Sequence, residues 1–124
     1  MKNFILYRIK SFQFAIHGIF IMLKGERNAW VHLLATFVVC ATGLYFKLSN
    51  SEWCWIVLAI VAVWTAEALN TALEFLADVA SPNFHPMVEK GKDVSSGAVL
   101  IASIGSVVIA ALVFWPHFLS GLKH

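Results

Sequence analysis

Between Trp53 and Val79 an apolar run long enough for a membrane helix carries Glu67, Asn70, Glu74 and Asp78 in its second half. That combination limits what the chain can fold into more than any other feature. On an α-helix, which turns about 100° per residue, Asn70 lies about 60° from Glu67, Glu74 about 20° from it and Asp78 about 40° beyond Glu74. The four polar groups therefore share one narrow stripe. An unpaired carboxylate in hydrocarbon is costly, so the stripe must face another helix, a cation or water rather than lipid.

The rest of the chain has the same membrane character. Of 124 residues, 60% are hydrophobic and 13% charged, with a mean hydropathy of +0.77. Soluble domains are about half apolar and about a quarter charged. A chain this short cannot hide so large an apolar surface from water, which points to an integral membrane protein of one domain, residues 1–124. Cys40 and Cys54 form no Cys-x-x-Cys pair and have no histidine at ligand spacing, so both read as buried free thiols. Arg8, Lys10 and Lys24 interrupt the N-terminal apolar residues, which argues against a cleavable leader.

Residues of about 1–24 read as an amphipathic helix in the membrane interface. Phe4, Ile5, Phe12, Ile16, Ile19 and Leu23 recur at three- and four-residue steps, with Lys2, Arg8, Lys10 and Lys24 to meet anionic headgroups. Gly25 is a candidate break. An uncharged stretch then runs from Asn28 to Phe46, a length suited to one bilayer crossing. After the polar turn at 47–52, with Ser51 as candidate helix cap, the second span covers about 53–79. Pro82 and Pro86 break it, and Met87 to Asp93 reads as a polar connecting segment. The third span, about 94–115, is rich in small residues suited to close helix packing, and Pro116 is expected to end it.

Basic residues set the expected orientation. Lys2, Arg8, Lys10, Lys24, Arg27, Lys90 and Lys92 fall on one side of the three spans, and Lys47 and Lys123 on the other. The N-terminus and the 80–93 loop are therefore expected in the cytoplasm, with the acidic stripe near that surface. Glu26 and the Lys92-Asp93 pair reach a similar depth. Glu26, Glu67 and Glu74 could meet at one membrane surface; carboxylates are the usual protein ligands of Mg²⁺, and the deepest of the three, Glu67, suits a general base. Together they supply the parts of a kinase acting on a hydroxyl at the bilayer surface. No Gly-x-x-x-x-Gly-Lys-[Ser/Thr] loop is present. Spacing alone leaves a small transporter or proton-coupled channel subunit, or a structural assembly protein, as alternatives, because membrane glutamates also mark ion paths.

Taken one at a time, these residues have plainer readings. Glu67 and Asn70 could pair across helices, Glu26 reads as an interfacial charge, and Asp93 as the N-cap of the third span. His32 reads as a packed or interfacial histidine, His85 as a solvated one, and Asp78 as part of a solvated helix end.

Glu67-Ala-Leu-Asn70-Thr-Ala-Leu-Glu74, then Lys92-Asp93-Val94-Ser95-Ser96-Gly97-Ala98-Val99, with Gly25-Glu26-Arg27-Asn28 before His32, closely resembles the bacterial integral-membrane diacylglycerol kinase and undecaprenol kinase family. The resemblance covers nearly the whole chain. It implies an all-α membrane protein of three transmembrane helices plus a surface helix, assembled as a homotrimer in the bacterial inner membrane. It implies an ATP-dependent lipid kinase with Glu67 as general base, Glu26 and Glu74 as ligands of the Mg²⁺ that accompanies ATP, and Asn70, Lys92 and Asp93 along the nucleotide and phosphates. Ala15 and His17 depart from the family pattern, so no nucleotide contact is carried to the surface helix. Glu26-Arg27-Asn28 and Lys92-Asp93-Val94 look more like the undecaprenol branch.

Overall fold

The computed structural model describes residues 1–122, with Leu122 described for its backbone alone; Lys123, counted above with Lys47, lies outside them. Four helices follow one another: α1 (Lys2–Gly25), α2 (Arg27–Tyr45), α3 (Asn50–Ala80) and α4 (Pro86–Leu122). All four are long and apolar enough to cross a membrane. The protein is thus all-helical, with its apolar side chains largely turned outward along α1 to α4. Such a surface is stable against lipid and not against water.

Each connection has a local cause. Glu26 alone separates α1 from α2, in an extended conformation (φ −114°, ψ 122°) that breaks the helix just after Gly25. At the end of α2, Lys47 adopts a left-handed conformation (φ 53°). The Lys47 N–H donates to the Leu44 carbonyl and the Leu48 N–H to the Gly43 carbonyl, the paired bonds that close a helix C-terminus. Gly43 is buried there because a Cβ would come within 2.6 Å of the Trp53 ring and 3.1 Å of Leu48. Ser49, rather than Ser51, caps α3. The Glu52 N–H donates to Ser49 Oγ (3.2 Å) and the Ser49 N–H donates to Glu52 Oε2 (2.8 Å), so one pair of side chains serves two otherwise orphaned donors.

Several expectations are corrected in α4. The polar segment 87–93 is not a connection but the first turns of this helix, which begins at Pro86. A proline at the first helical position loses no hydrogen bond, since that N–H has no partner in any helix. His85 supports the start by accepting the Met87 N–H at Nδ1 (3.2 Å). Asp93 therefore lies inside α4 and does not cap it. Nor does Pro116 end the helix, which continues to Leu122. The turn beyond it is anchored from outside: Phe118 packs on Phe46 with ring centroids 4.9 Å apart, and His117 Nε2 lies 2.8 Å from Glu52 Oε1. Those contacts compensate for the bond that proline removes. The thiols also differ from expectation, Cys40 being half-buried and Cys54 exposed, because the second faces outward among the apolar side chains of α3.

Packing is uneven along the helices. α3 and α4 form the main pair, and α1 touches α2 and α3 lightly. Leu48, Ile56, Val113 and Phe114 make a buried cluster at the end near the α2–α3 turn. Ser106 Oγ bridges α4 to α3 by donating to the Ala59 carbonyl (3.1 Å) as well as to its own helix. The Trp64 indole N–H donates to Thr36 Oγ1 (3.0 Å) and ties α3 to α2. Beyond Trp64 the helices leave space, and Glu67 and Asn70 of the acidic stripe open into it.

Candidate active site

Glu67 is fully buried, at 0% exposure, and Asn70 is 5% exposed. Both look into a cleft of about 240 Å³ walled by α2, α3 and α4, whose polar lining comprises Asn28, His32, Glu67, Asn70, Ser96 and Ser103. The α3 backbone fixes the register, since one helical turn carries Glu67 to Asn70 on the same face. Thr71, the buried neighbour, satisfies itself by donating its hydroxyl to the Glu67 carbonyl (2.9 Å).

The functional groups are less satisfied. Neither carboxylate oxygen of Glu67 has a hydrogen-bond partner among the described residues, nor has Asn70 Oδ1. His32 Nε2 approaches Glu67 Oε2 to 3.3 Å, within ion-pair reach but off the line of a hydrogen bond. Orphaned buried polar atoms are rare because each forfeits the full desolvation cost, so three at one spot indicate groups awaiting a ligand.

Glu26 stands half-buried at the α1–α2 corner and Glu74 half-buried two turns beyond Glu67. Burial, and then the charges of Glu74 and Glu67, push the Glu26 carboxyl above its ordinary value. The three carboxylates thus share one electrostatic neighbourhood that an added cation would relieve. Among the described residues no group of three His, Cys, Asp or Glu side chains is disposed to hold a metal by itself. Two carboxylates nevertheless suit Mg²⁺, which keeps several waters and takes its remaining oxygens from phosphates. Glu26 and Glu74 fit that donor set.

Lys92 and Asp93 lie outside the cleft. Lys92 Nζ is 3.4 Å from Asp78 Oδ1, across the start of α4 and the end of α3, and Asp93 is exposed. Asp78, expected as part of a solvated helix end, is exposed and engaged by this lysine. His32, read from the sequence as a packed or interfacial histidine, lines the cleft beside Glu67. It is an ionisable side chain inside an otherwise uncharged span, a placement that commonly accompanies function. An apolar groove of about 400 Å³, lined by residues such as Ala35, Val39, Ile60 and Val107, shares Val31, His32 and Ser103 with the cleft and continues from it.

The family model described as prokaryotic diacylglycerol kinase matches residues 13–114. Undecaprenol kinase from Bacillus subtilis is 36% identical over 107 residues, covering 86% of this chain and 87% of that protein. Diacylglycerol kinase from Escherichia coli is 28% identical over 106 residues, covering 77% and 84%. Diacylglycerol kinase from Helicobacter pylori is 26% identical over 123 residues, covering 93% and 91%.

Proposed function

Because the chain belongs to the prokaryotic diacylglycerol kinase family, and is thus a lipid kinase with an alcohol acceptor, we propose that it uses Mg²⁺ and ATP to phosphorylate a membrane lipid at the cytoplasmic face of the inner membrane. The observation that carries this reading is the Glu67 carboxylate, fully buried, with both oxygens unpartnered, in a polar cleft between apolar helices.

Glu67 acts as general base. It takes the proton of the lipid hydroxyl as that oxygen attacks the γ-phosphorus of ATP, and the bond to the ADP oxygen breaks. The products are the lipid phosphate and ADP, and Glu67 afterwards releases its proton to water. Asn70, one turn along, orients the reacting groups through its unpartnered amide. Glu26 and Glu74 hold Mg²⁺, which when bound offsets charge on the phosphate oxygens. Lys92 exchanges Asp78 for a phosphate, and Asp93 lies beside it along the nucleotide. The apolar groove that continues from the cleft gives a lipid chain an apolar path away from its hydroxyl.

The same reading takes α2, α3 and α4 as the spans and α1 as a helix in the interface, and assembles three chains so that their outward apolar faces meet. The seven basic residues on the side of the acidic stripe support a cytoplasmic N-terminus. Undecaprenol is preferred to diacylglycerol, as the 36% identity to a protein named undecaprenol kinase supports. A transporter finds less support, because the polar groups gather at one end of the helices and the groove beyond is apolar.

The test is transfer of phosphate from ATP to undecaprenol and to diacylglycerol, side by side in mixed micelles. Wild-type protein labels a lipid in a magnesium-dependent way, and Glu67→Gln lowers kcat by about 10²-fold or more while remaining folded. Full activity in that variant removes the base assignment. Solute flux in proteoliposomes without ATP turnover overturns the kinase reading itself.

A further inference from the structure

We propose that His32 is a positioning residue for the base: its imidazole pins one oxygen of Glu67 and leaves the other turned to the acceptor hydroxyl. This rests on the kinase reading above.

The ring is bounded on one side. His32 sits on α2, one turn before Thr36, whose hydroxyl donates back to the His32 carbonyl (2.7 Å). Thr36 Oγ1 in turn accepts the Trp64 indole N–H from α3 (3.0 Å). Trp64 closes the loop by meeting the imidazole edge-on, with ring centroids 6.2 Å apart and planes at 67°. The Trp64 ring, itself tied to α2 through Thr36, thus bounds one side of the imidazole, whose side chain is 16% exposed.

What the ring faces is then decisive. Nε2 lies 3.3 Å from Glu67 Oε2, on a carboxylate whose side chain is 1% exposed and whose two oxygens lack other partners. A long, poorly aligned contact before substrate binds is what catalytic pairs commonly show, and they tighten in the reacting complex. With Oε2 drawn to an Nε2–H donor, the carboxylate can no longer turn freely, and Oε1 becomes the proton acceptor. His32 also lines both the polar cleft and the apolar groove. It therefore acts where a lipid would pass from apolar chain to hydroxyl, which is where the base must be aimed.

Two measurements test this. The first reads the pair without turnover: ¹⁵N-histidine NMR of the detergent-solubilised protein, wild type against Glu67→Gln. The His32 ring-nitrogen resonances are expected to move, and resonances identical in the two proteins overturn the pairing. The second reads positioning. His32→Leu, which keeps bulk but no donor, lowers kcat about tenfold or more with the KM for ATP within about twofold, and His32→Gln, with an N–H at similar reach, recovers much of the loss. Unchanged kcat in His32→Leu, or equal losses in Leu and Gln variants of wild-type thermal stability, overturn the proposal. A wild type with no kinase activity would instead sink the kinase reading, and the His32–Glu67 pairing would be decided by NMR alone.

Discussion

At the scale of the residue, the acidic stripe and the Glu26 carboxylate near it are groups held in the fold at some cost to it. Glu26 shows the sign of that cost. Its carboxyl is pushed above the ordinary value by burial and by Glu74 and Glu67, so its ionised form is disfavoured in the folded chain relative to the unfolded one. The cost is absent below the ordinary carboxylate value and grows as pH rises through the raised one. In metal-free buffer, Glu26→Gln is therefore expected to raise the thermal unfolding midpoint at neutral pH, with the gain vanishing as pH falls toward about 4. A variant less stable than wild type at neutral pH would contradict the repulsion. The stripe was legible in the sequence because Glu67, Asn70 and Glu74 belong to one helix, whose period sets their spacing without help from the rest of the fold. His32 was not, because its meeting with Glu67 depends on how α2 and α3 lie against each other, and helical spacing carries no register between helices.

At the scale of the element, the helix ends decide how the chain turns. Gly43 lets Trp53 close over the end of α2, with no room for a methyl group. Gly43→Ala is expected to destabilise the fold by about 1–3 kcal/mol, read by thermal unfolding in detergent, since the indole and Leu48 are both packed and cannot both give way. Lys47 is the converse case, a side chain in the left-handed region, so Lys47→Gly should stabilise by up to about 1 kcal/mol in the same assay. A loss of stability there would mean that the lysine makes a contact worth more than its strain. Helix existence was plain from the uncharged runs, and the break at Gly25 was readable as such. The bounds of α4 were not. Pro86 starts a helix because it occupies the first position, and Pro116 is tolerated because Phe46 and Glu52 hold the turn beyond it. Both outcomes depend on position and tertiary contact rather than on the identity of proline.

At the scale of the whole molecule, the buried apolar cluster closes one end of the helices while the cleft opens toward the other. The cluster joins α3 and α4 to the α2–α3 turn, so the site can carry unsatisfied groups without bearing the weight of the fold. The capped start of α3 has a further consequence. α3 has 31 residues and so is about 46 Å long, against a hydrocarbon layer of about 30 Å. Measured from Asn50, Glu67 lies about 26 Å up the helix axis. In the proposed topology the helix would work as a ruler, with its capped foot at one interface and Glu67, the proposed base, near the other. A thicker bilayer would submerge the carboxylate below the headgroups, and a thinner one would lift it clear of the acceptor hydroxyl. In vesicles of phosphatidylcholines with short, medium and long acyl chains, turnover should pass through a maximum at intermediate length while the thermal midpoint varies little. A flat profile would show that the helix does not gauge depth. With a maximum, hydrophobic mismatch becomes a control on catalysis: membrane thickness would set how often the base and the lipid meet at the same level.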